Sequence, residues 1–242
     1  MVAMLAATAG LAPAQTFDSG SNGTNGALDV TNSITLDLPP NGVFHFTTVR
    51  IRSGQTLTFR TNALNTPVYL LAQSNVVIEN NAYINVTGKD YSGIAPGAGG
   101  PGGFAAHQIY SSGDGQGPGA GTRSNGYYAV FAFPSGNNSN AYGNTLLVPL
   151  IGGSGGAGNP SGAAGGGGGG GAILIASSTE VSINGGTIIA MGGRVLTAVA
   201  AERFGSLHRS SMVLRTIAFP EATISMCAEV TSVAQGGSAL TH

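Results

Sequence analysis

The fold is decided by VVIENNAYINVTG, residues 76–88, and by VSINGGTIIAMGG, residues 181–193, which repeats its pattern. The two stretches align without a gap, which places Ile84 over Ile189, and the preceding LLAQSN and LIASSTE align if one residue is inserted. Each copy is a short apolar run, a polar turn and a second short apolar run, the signature of two β-strands joined by a turn. A strand–turn–strand unit therefore recurs after 105 residues.

The residues before the second repeat continue the same pattern. Short β-branched or aromatic runs alternate with the turn sequences SGQ, NALN, QSN and ENN, and no window has the 3.6-residue apolar period of a helix. The runs predict strands at residues 43–46, 49–51, 56–59, 68–71, 76–78 and 83–86. Short strands that bury their apolar side chains only by stacking predict an all-β right-handed parallel β-solenoid. The alternative is a β-sandwich with one long glycine loop, although so long a structureless loop argues against it.

A glycine-rich insert, residues 91–171, separates the two copies and holds 27 Gly and 6 Pro in 81 positions. Its only charged residues are Asp114 and Arg123, so it lacks the charge that keeps a disordered linker in solution. Glycines recur at intervals of three in the registers Gly97, Gly100, Gly103; Gly152, Gly155, Gly158; and Gly162, Gly165, Gly168, Gly171. Three residues is the period of polyproline II, so we expect polyproline-II-like threads packed on each other or on the solenoid. A flexible linker is the alternative for Gly165–Gly171 alone.

The charge balance excludes several classes of partner. Nine Lys and Arg against ten Asp and Glu leave a net charge of −1, so no field attracts nucleic acid. The single Cys227 excludes an intramolecular disulfide framework.

The ends of the chain differ in composition from its middle. Residues 1–14 are small and apolar and end in Ala-Pro-Ala, which predicts a secretory signal peptide and a secreted or cell-surface protein. No basic residue opens the run, which predicts a truncated signal or an internal start, and the run is too short to span a bilayer. Residues 15–193 then form the glycine-rich β-domain. Residues 194–242 regain charge, with four Arg and three Glu, and form either a C-terminal cap or a non-native tail produced by a reading-frame error.

One polar stretch has the spacing of a calcium loop. In TFDSGSNGTNGALD, Asp18, Asn22 and Asp29 fall at loop positions one, five and twelve, with Gly23 at position six. Position three is Gly20, and Asp29 replaces the bidentate glutamate, so the ligand charge is low. These residues are a candidate calcium site, and a polar turn is the alternative. No other cofactor is indicated.

Two further sets of residues are candidates for ligand binding. Arg50 and Arg52 lie on one face of a predicted strand and are suited to an anionic sugar, with a solvated face as the alternative. Tyr127 and Tyr128 interrupt the glycine-rich insert and offer a stacking platform for sugars, with a hydrophobic anchor as the alternative. Both sets suggest a cell-surface or extracellular polysaccharide as partner. No cluster of acids is visible for catalysis, so enzymatic activity is disfavoured.

The combination FDSGSNGTNGALDV, FTTVRIRSGQTLTF and GGGGGGGAILIASSTEVSINGGTI resembles glycine-rich exported bacterial proteins of the right-handed parallel β-helix, pectate-lyase-like type. The resemblance covers residues 16–193 and implies fold and location, but it supplies no catalytic residue. We therefore expect a secreted, non-catalytic structural, adhesive or extracellular-matrix protein, capable of self-association. A carbohydrate-binding or polysaccharide-degrading β-helix is the first alternative. An ice- or surface-binding solenoid, using Thr47, Thr48, Thr56 and Thr58, is the second.

Overall fold

The computed structural model describes residues 17–92, 95–108, 115–119, 142, 146–157, 165–194 and 214–216. These residues contain twelve β-strands and no helix, so the described chain is all-β. The strands are Leu28–Val30 (β1), Ile34–Asp37 (β2), Val43–Phe46 (β3), Val49–Ile51 (β4), Thr56–Arg60 (β5), Val68–Ala72 (β6), Val76–Ile78 (β7), Tyr83–Asn85 (β8), Ile173–Ser177 (β9), Val181–Ile183 (β10), Thr187–Ile189 (β11) and Leu214–Thr216 (β12).

The strands form three parallel sheets of four strands each. Sheet 1 has the order β1-β4-β7-β10, sheet 2 has β2-β5-β8-β11, and sheet 3 has β3-β6-β9-β12. Three consecutive strands thus make one level with one strand in each sheet, and the next three lie on top of them. This arrangement is consistent with a parallel β-helix.

The core runs through the levels as columns of apolar side chains. Alternate residues of each short strand point inward, as the two-residue period of a strand requires. In sheet 1, for example, Val30, Ile51 and Ile78 are successive partners and each is at most 1% exposed. Because each level covers the apolar side chains of the one below, stacking supplies the burial that a single short strand cannot obtain.

The six strands predicted between residues 43 and 88 are confirmed to within one residue at their ends. The repeat is confirmed at its first strand, where Val76 pairs with Val181. The predicted alignment is wrong at its second strand, because Ile84 pairs with Ile188 and not with Ile189. In this register Ile188 is 8% exposed and belongs to the core, whereas Ile189 is half-buried on the outer face.

The shift in register arises at the turn between the two strands. Residues 79–82 form the turn in the first copy, and Asn81 has a φ of 55° there. Residues 184–186 form a turn one residue shorter in the second copy, and Gly185, with a φ of 75°, supplies the left-handed conformation. Upstream, Leu70 pairs directly with Ile175, so the residue predicted to be inserted there is not needed.

The central glycine run, Gly165–Gly171, is buried along its whole length. Its carbonyls accept the amides of glycines in other segments: the Gly97 amide donates to Gly166 and the Gly100 amide to Gly169, at 3.1 and 2.9 Å. From another side, the amides of Gly153 and Gly156 donate to Gly170 and Gly167, at 2.7 and 3.0 Å. The partners advance by three residues along the run, which is the interval expected from the glycine registers.

The central glycine run approaches its neighbours too closely for side chains. A Cβ on Gly166 or Gly169 would meet backbone of residues 153–156, and one on Gly167 or Gly170 would meet backbone of residues 190–194. A Cβ on Gly168 would meet the carbonyl of Ala98. Three neighbouring segments therefore surround the run, and each of them packs against every third glycine of it.

The glycine-rich insert leaves and re-enters the strands at one point. The strands are interrupted between β8 and β9, and the Gly171 amide donates to the Val86 carbonyl at 2.7 Å. The predicted signal peptide, Gly158 and Gly162, Tyr127 and Tyr128, and all of the predicted C-terminal segment except Arg194 and β12 lie outside the described residues.

Candidate functional site

The charged cluster Asp29, Arg50, Arg52 and Glu79 occupies the outer face of sheet 1. Arg52 donates from Nε and Nη2 to the two carboxylate oxygens of Asp29, both at 2.8 Å. Arg50 Nε donates to Glu79 Oε1 at 2.6 Å, and the Ser53 amide donates to the other oxygen at 3.0 Å. The two predicted arginines do lie together, but each is paired with a carboxylate: Arg52 with Asp29, which the sequence indicated as a calcium ligand, and Arg50 with Glu79, which the sequence did not single out.

Pairing shifts the titration of the cluster. The hydrogen bond from Arg52 lowers the pKa of Asp29, and the same contact raises the pKa of Arg52. The hydrogen bond from Arg50, aided by the Ser53 amide, lowers the pKa of Glu79. The two carboxylates therefore stay charged at neutral pH, and the two ion pairs connect adjacent strands of sheet 1. An anionic sugar at Arg50 and Arg52 would have to displace both carboxylates.

The residues of the candidate calcium loop are used in the fold in other ways. Asp18 Oδ1 accepts the Gly20 amide at 2.9 Å, and Asn22 Oδ1 accepts the Thr24 amide at 3.0 Å, which are side chains capping their own turns. Asp29 gives both oxygens to Arg52. No group of three or more His, Cys, Asp or Glu in the described part of the chain is placed to hold a metal ion. The calcium site stays a prediction.

Residues 19–25 cross the edge of sheet 3 from level to level, a feature that we did not predict from the sequence. Ser19 Oγ donates to the Ala72 carbonyl at 2.6 Å, and Ser21 Oγ donates to the Phe46 carbonyl at 2.7 Å. Asn25 then pairs with His45 in both directions, through its own amide and its side-chain oxygen. The alternate serines were a visible signal, because a segment lying across strand ends presents every second side chain to them.

The four threonines considered for surface binding do not share one face. Thr56 and Thr58 lie on the outer face of sheet 2, while Thr47 and Thr48 lie in the turn between β3 and β4. On sheet 2, Thr58 pairs with Thr35 below it and with Asn85 above it. The threonine column is therefore interrupted at the third level.

An open groove of about 190 Å³ lies where the glycine-rich segments meet the strands. It is lined by residues of the loop 61–65 between β5 and β6, by the segment 98–105 and by Gln116. The lining contains no charged residue and one aromatic ring, that of Phe104. Sequence analysis missed it because its walls are far apart in the chain and come together only through packing of the glycine-rich segments.

In the residues that the structure describes, no helix has the length and apolarity needed to cross a membrane. No protein-family model, curated protein or solved structure matches the chain.

Proposed function

We propose that the protein is a secreted or cell-surface structural and adhesive protein of the glycine-rich, right-handed parallel β-helix type. In this proposal the three sheets are the faces of one β-solenoid, and the glycine-rich segments are polyproline-II-like threads bound to one corner of it. An extracellular polysaccharide is the proposed partner. The parallel pairing of all levels supports the solenoid, and the three-residue spacing of backbone contacts supports the threads.

The observation that carries the proposal is the close packing of glycine backbone in the central glycine run. Burying so much backbone requires that its amides and carbonyls be paired, and the described segments pair them with one another. The described glycine-rich segments therefore form a closely packed body with few charges beside the strands. Such a body suits mechanical or adhesive contact, because its outer segments carry small side chains and few charges that could repel a partner.

Export is tested first. The full-length gene, with a C-terminal tag, is expressed in a bacterium with general secretory machinery, and the mature protein is weighed by mass spectrometry. We expect a protein outside the cytoplasm that begins at Gln15. Ala14→Leu should block cleavage, whereas Ala6→Leu, inside the apolar run, should not. Retention in the cytoplasm with residues 1–14 intact would contradict the proposal.

Adhesion and turnover are tested on the purified mature protein. We expect protein-coated beads to bind polysaccharide-coated surfaces without releasing reducing ends from pectin or uronate polymers. Turnover that is lost in Arg50→Gln and Arg52→Gln would favour the polysaccharide-degrading alternative. Thr35→Val is the matched control, since Thr35 is exposed on sheet 2, away from the charged cluster.

A further inference from the structure

The groove at the junction of strands and glycine-rich segments has firm walls. On one side, Asn62 Nδ2 donates to the Pro39 carbonyl at 2.6 Å and to Thr66 Oγ1 at 2.7 Å, so its loop is held in place. On the other side, the Phe104 amide donates to the Gly153 carbonyl at 2.9 Å, and the Phe104 carbonyl accepts the Gly169 amide at 2.8 Å. Both walls are thus positioned by hydrogen bonds that do not depend on a ligand.

Two polar side chains of the groove have no partner in the described part of the chain. Thr61 and Gln116 are exposed, and neither side chain makes a hydrogen bond there. Phe104, which is half-buried, is the aromatic residue of the same lining. A Cβ on Gly117 would lie 2.7 Å from the Phe104 ring, so the ring lies directly against that glycine and leaves no room for a side chain there.

We propose that this groove binds one ring of a neutral, hydroxyl-rich glycan, an inference that rests on the proposed adhesive function. The apolar face of a pyranose ring packs on Phe104, and its hydroxyls hydrogen-bond to Gln116 and Thr61. A lone carboxylate or ammonium group would gain no ion pair, because no lining residue is charged.

The size and openness of the groove favour a single ring of a chain over an entire small molecule. Its volume of about 190 Å³ is below that of the usual drug-sized pocket, roughly 300–1,000 Å³. A glycan that continues beyond both ends of the groove would obtain further contact from neighbouring copies of the protein. Weak single contacts repeated along a polymer are sufficient for adhesion, since linked contacts add avidity.

The test is a titration of the isotopically labelled, full mature protein followed by amide NMR shifts. The probes are cellohexaose, xylohexaose, mannohexaose and hexa-N-acetylchitohexaose, with hexagalacturonate as the charged comparison. We expect saturable shifts from at least one neutral probe, confined to residues 61–65, 98–105 and 115–119. Gln116→Ala and Thr61→Val should each raise the dissociation constant about fivefold to tenfold, because each variant loses one hydrogen bond to the glycan.

Gln73→Ala and Thr35→Val are the matched controls, because both side chains are exposed outside the groove, and they should leave binding unchanged. No saturable shift with any neutral probe, shifts elsewhere, or stronger binding of hexagalacturonate would overturn the inference. If the protein is exported and adheres but no probe shifts the amides of the groove, only the inference that the groove binds a glycan would be wrong. Binding in the groove by a protein that is never exported would instead defeat the proposed function.

Discussion

Asn65 fastens the glycine-rich segments to the strands through Gly103: its side-chain amide donates to the Gly103 carbonyl at 2.5 Å. The side-chain oxygen of Asn65 also accepts the amide of Gly102, at 3.3 Å. Asn65 itself has a φ of 47°, a left-handed conformation that Asn adopts more readily than most residues. One side chain therefore connects two parts of the molecule that the sequence separates by nearly forty positions.

Asn65→Ala should lower the free energy of unfolding by about 2 kcal/mol, because it removes both hydrogen bonds and places Ala in a left-handed conformation that Asn tolerates better. Asn65→Gly removes the same bonds but relieves the backbone, so it should cost less. Urea denaturation of the two variants makes the comparison. Equal losses would show that the backbone conformation of Asn65 does not contribute.

Gly168→Ala should destabilise the protein by about 3 kcal/mol, since its Cβ would run into the Ala98 carbonyl and backbone cannot yield cheaply. Gly156→Ala is the matched control: its Cβ would lie 3.4 Å from the nearest atom, the Cα of Gly166, so its loss should be under about 1 kcal/mol. Thermal unfolding followed by circular dichroism compares them. If both variants melted like the wild type, the central glycine run would not be packed as described.

Adjacent isoleucines test the register of the last level. Ile188→Ala removes a core side chain stacked on Ile84 and should cost about 2–4 kcal/mol. Ile189→Ala acts on the half-buried outer face and should cost about 1 kcal/mol. Chemical denaturation measures both. A larger loss for Ile189→Ala than for Ile188→Ala would instead support the gap-free alignment of the two repeats.

The charged cluster should make stability depend on acid. Asp29 and Glu79 have pKa values below the ordinary 3.8 and 4.5, so their contribution is complete above those ordinary values and is lost as the pH falls through the lowered ones. The double variant Asp29→Asn, Glu79→Gln should therefore lose less melting temperature between pH 7 and pH 3 than the wild type. Because 1 M salt screens the ion pairs, it should reduce the difference in this loss of melting temperature between the double variant and the wild type. If the melting temperature of the double variant fell with pH as steeply as that of the wild type, the charged cluster would not contribute to the loss of stability in acid.

Much of the strand body could be predicted from sequence because each strand is a short alternation bounded by turn residues. The strands β1, β2 and β12 were missed: they lie at the two ends of the stack, and in β2 the side chains of Ile34 and Leu36 are only partly buried, so the apolar signal is weak. The register after Ile183 was missed because a turn can lose one residue without changing the pattern on either side. The groove could not be predicted, since Thr61 and Gln116 come to line one groove only after the intervening backbone packs.

The hydrogen bond between Gly171 and Val86 has a consequence for how such a chain can change over time. The glycine-rich insert leaves the third level next to Val86 and returns at Gly171, and these two residues are hydrogen-bonded to each other. The number of residues in the insert therefore does not affect the pairing of the strands around it. Residues can therefore be added or removed between the packed glycine segments without changing the order of the strands, whereas the central glycine run itself has to be kept. Novel surfaces could thus be acquired there without rebuilding the scaffold.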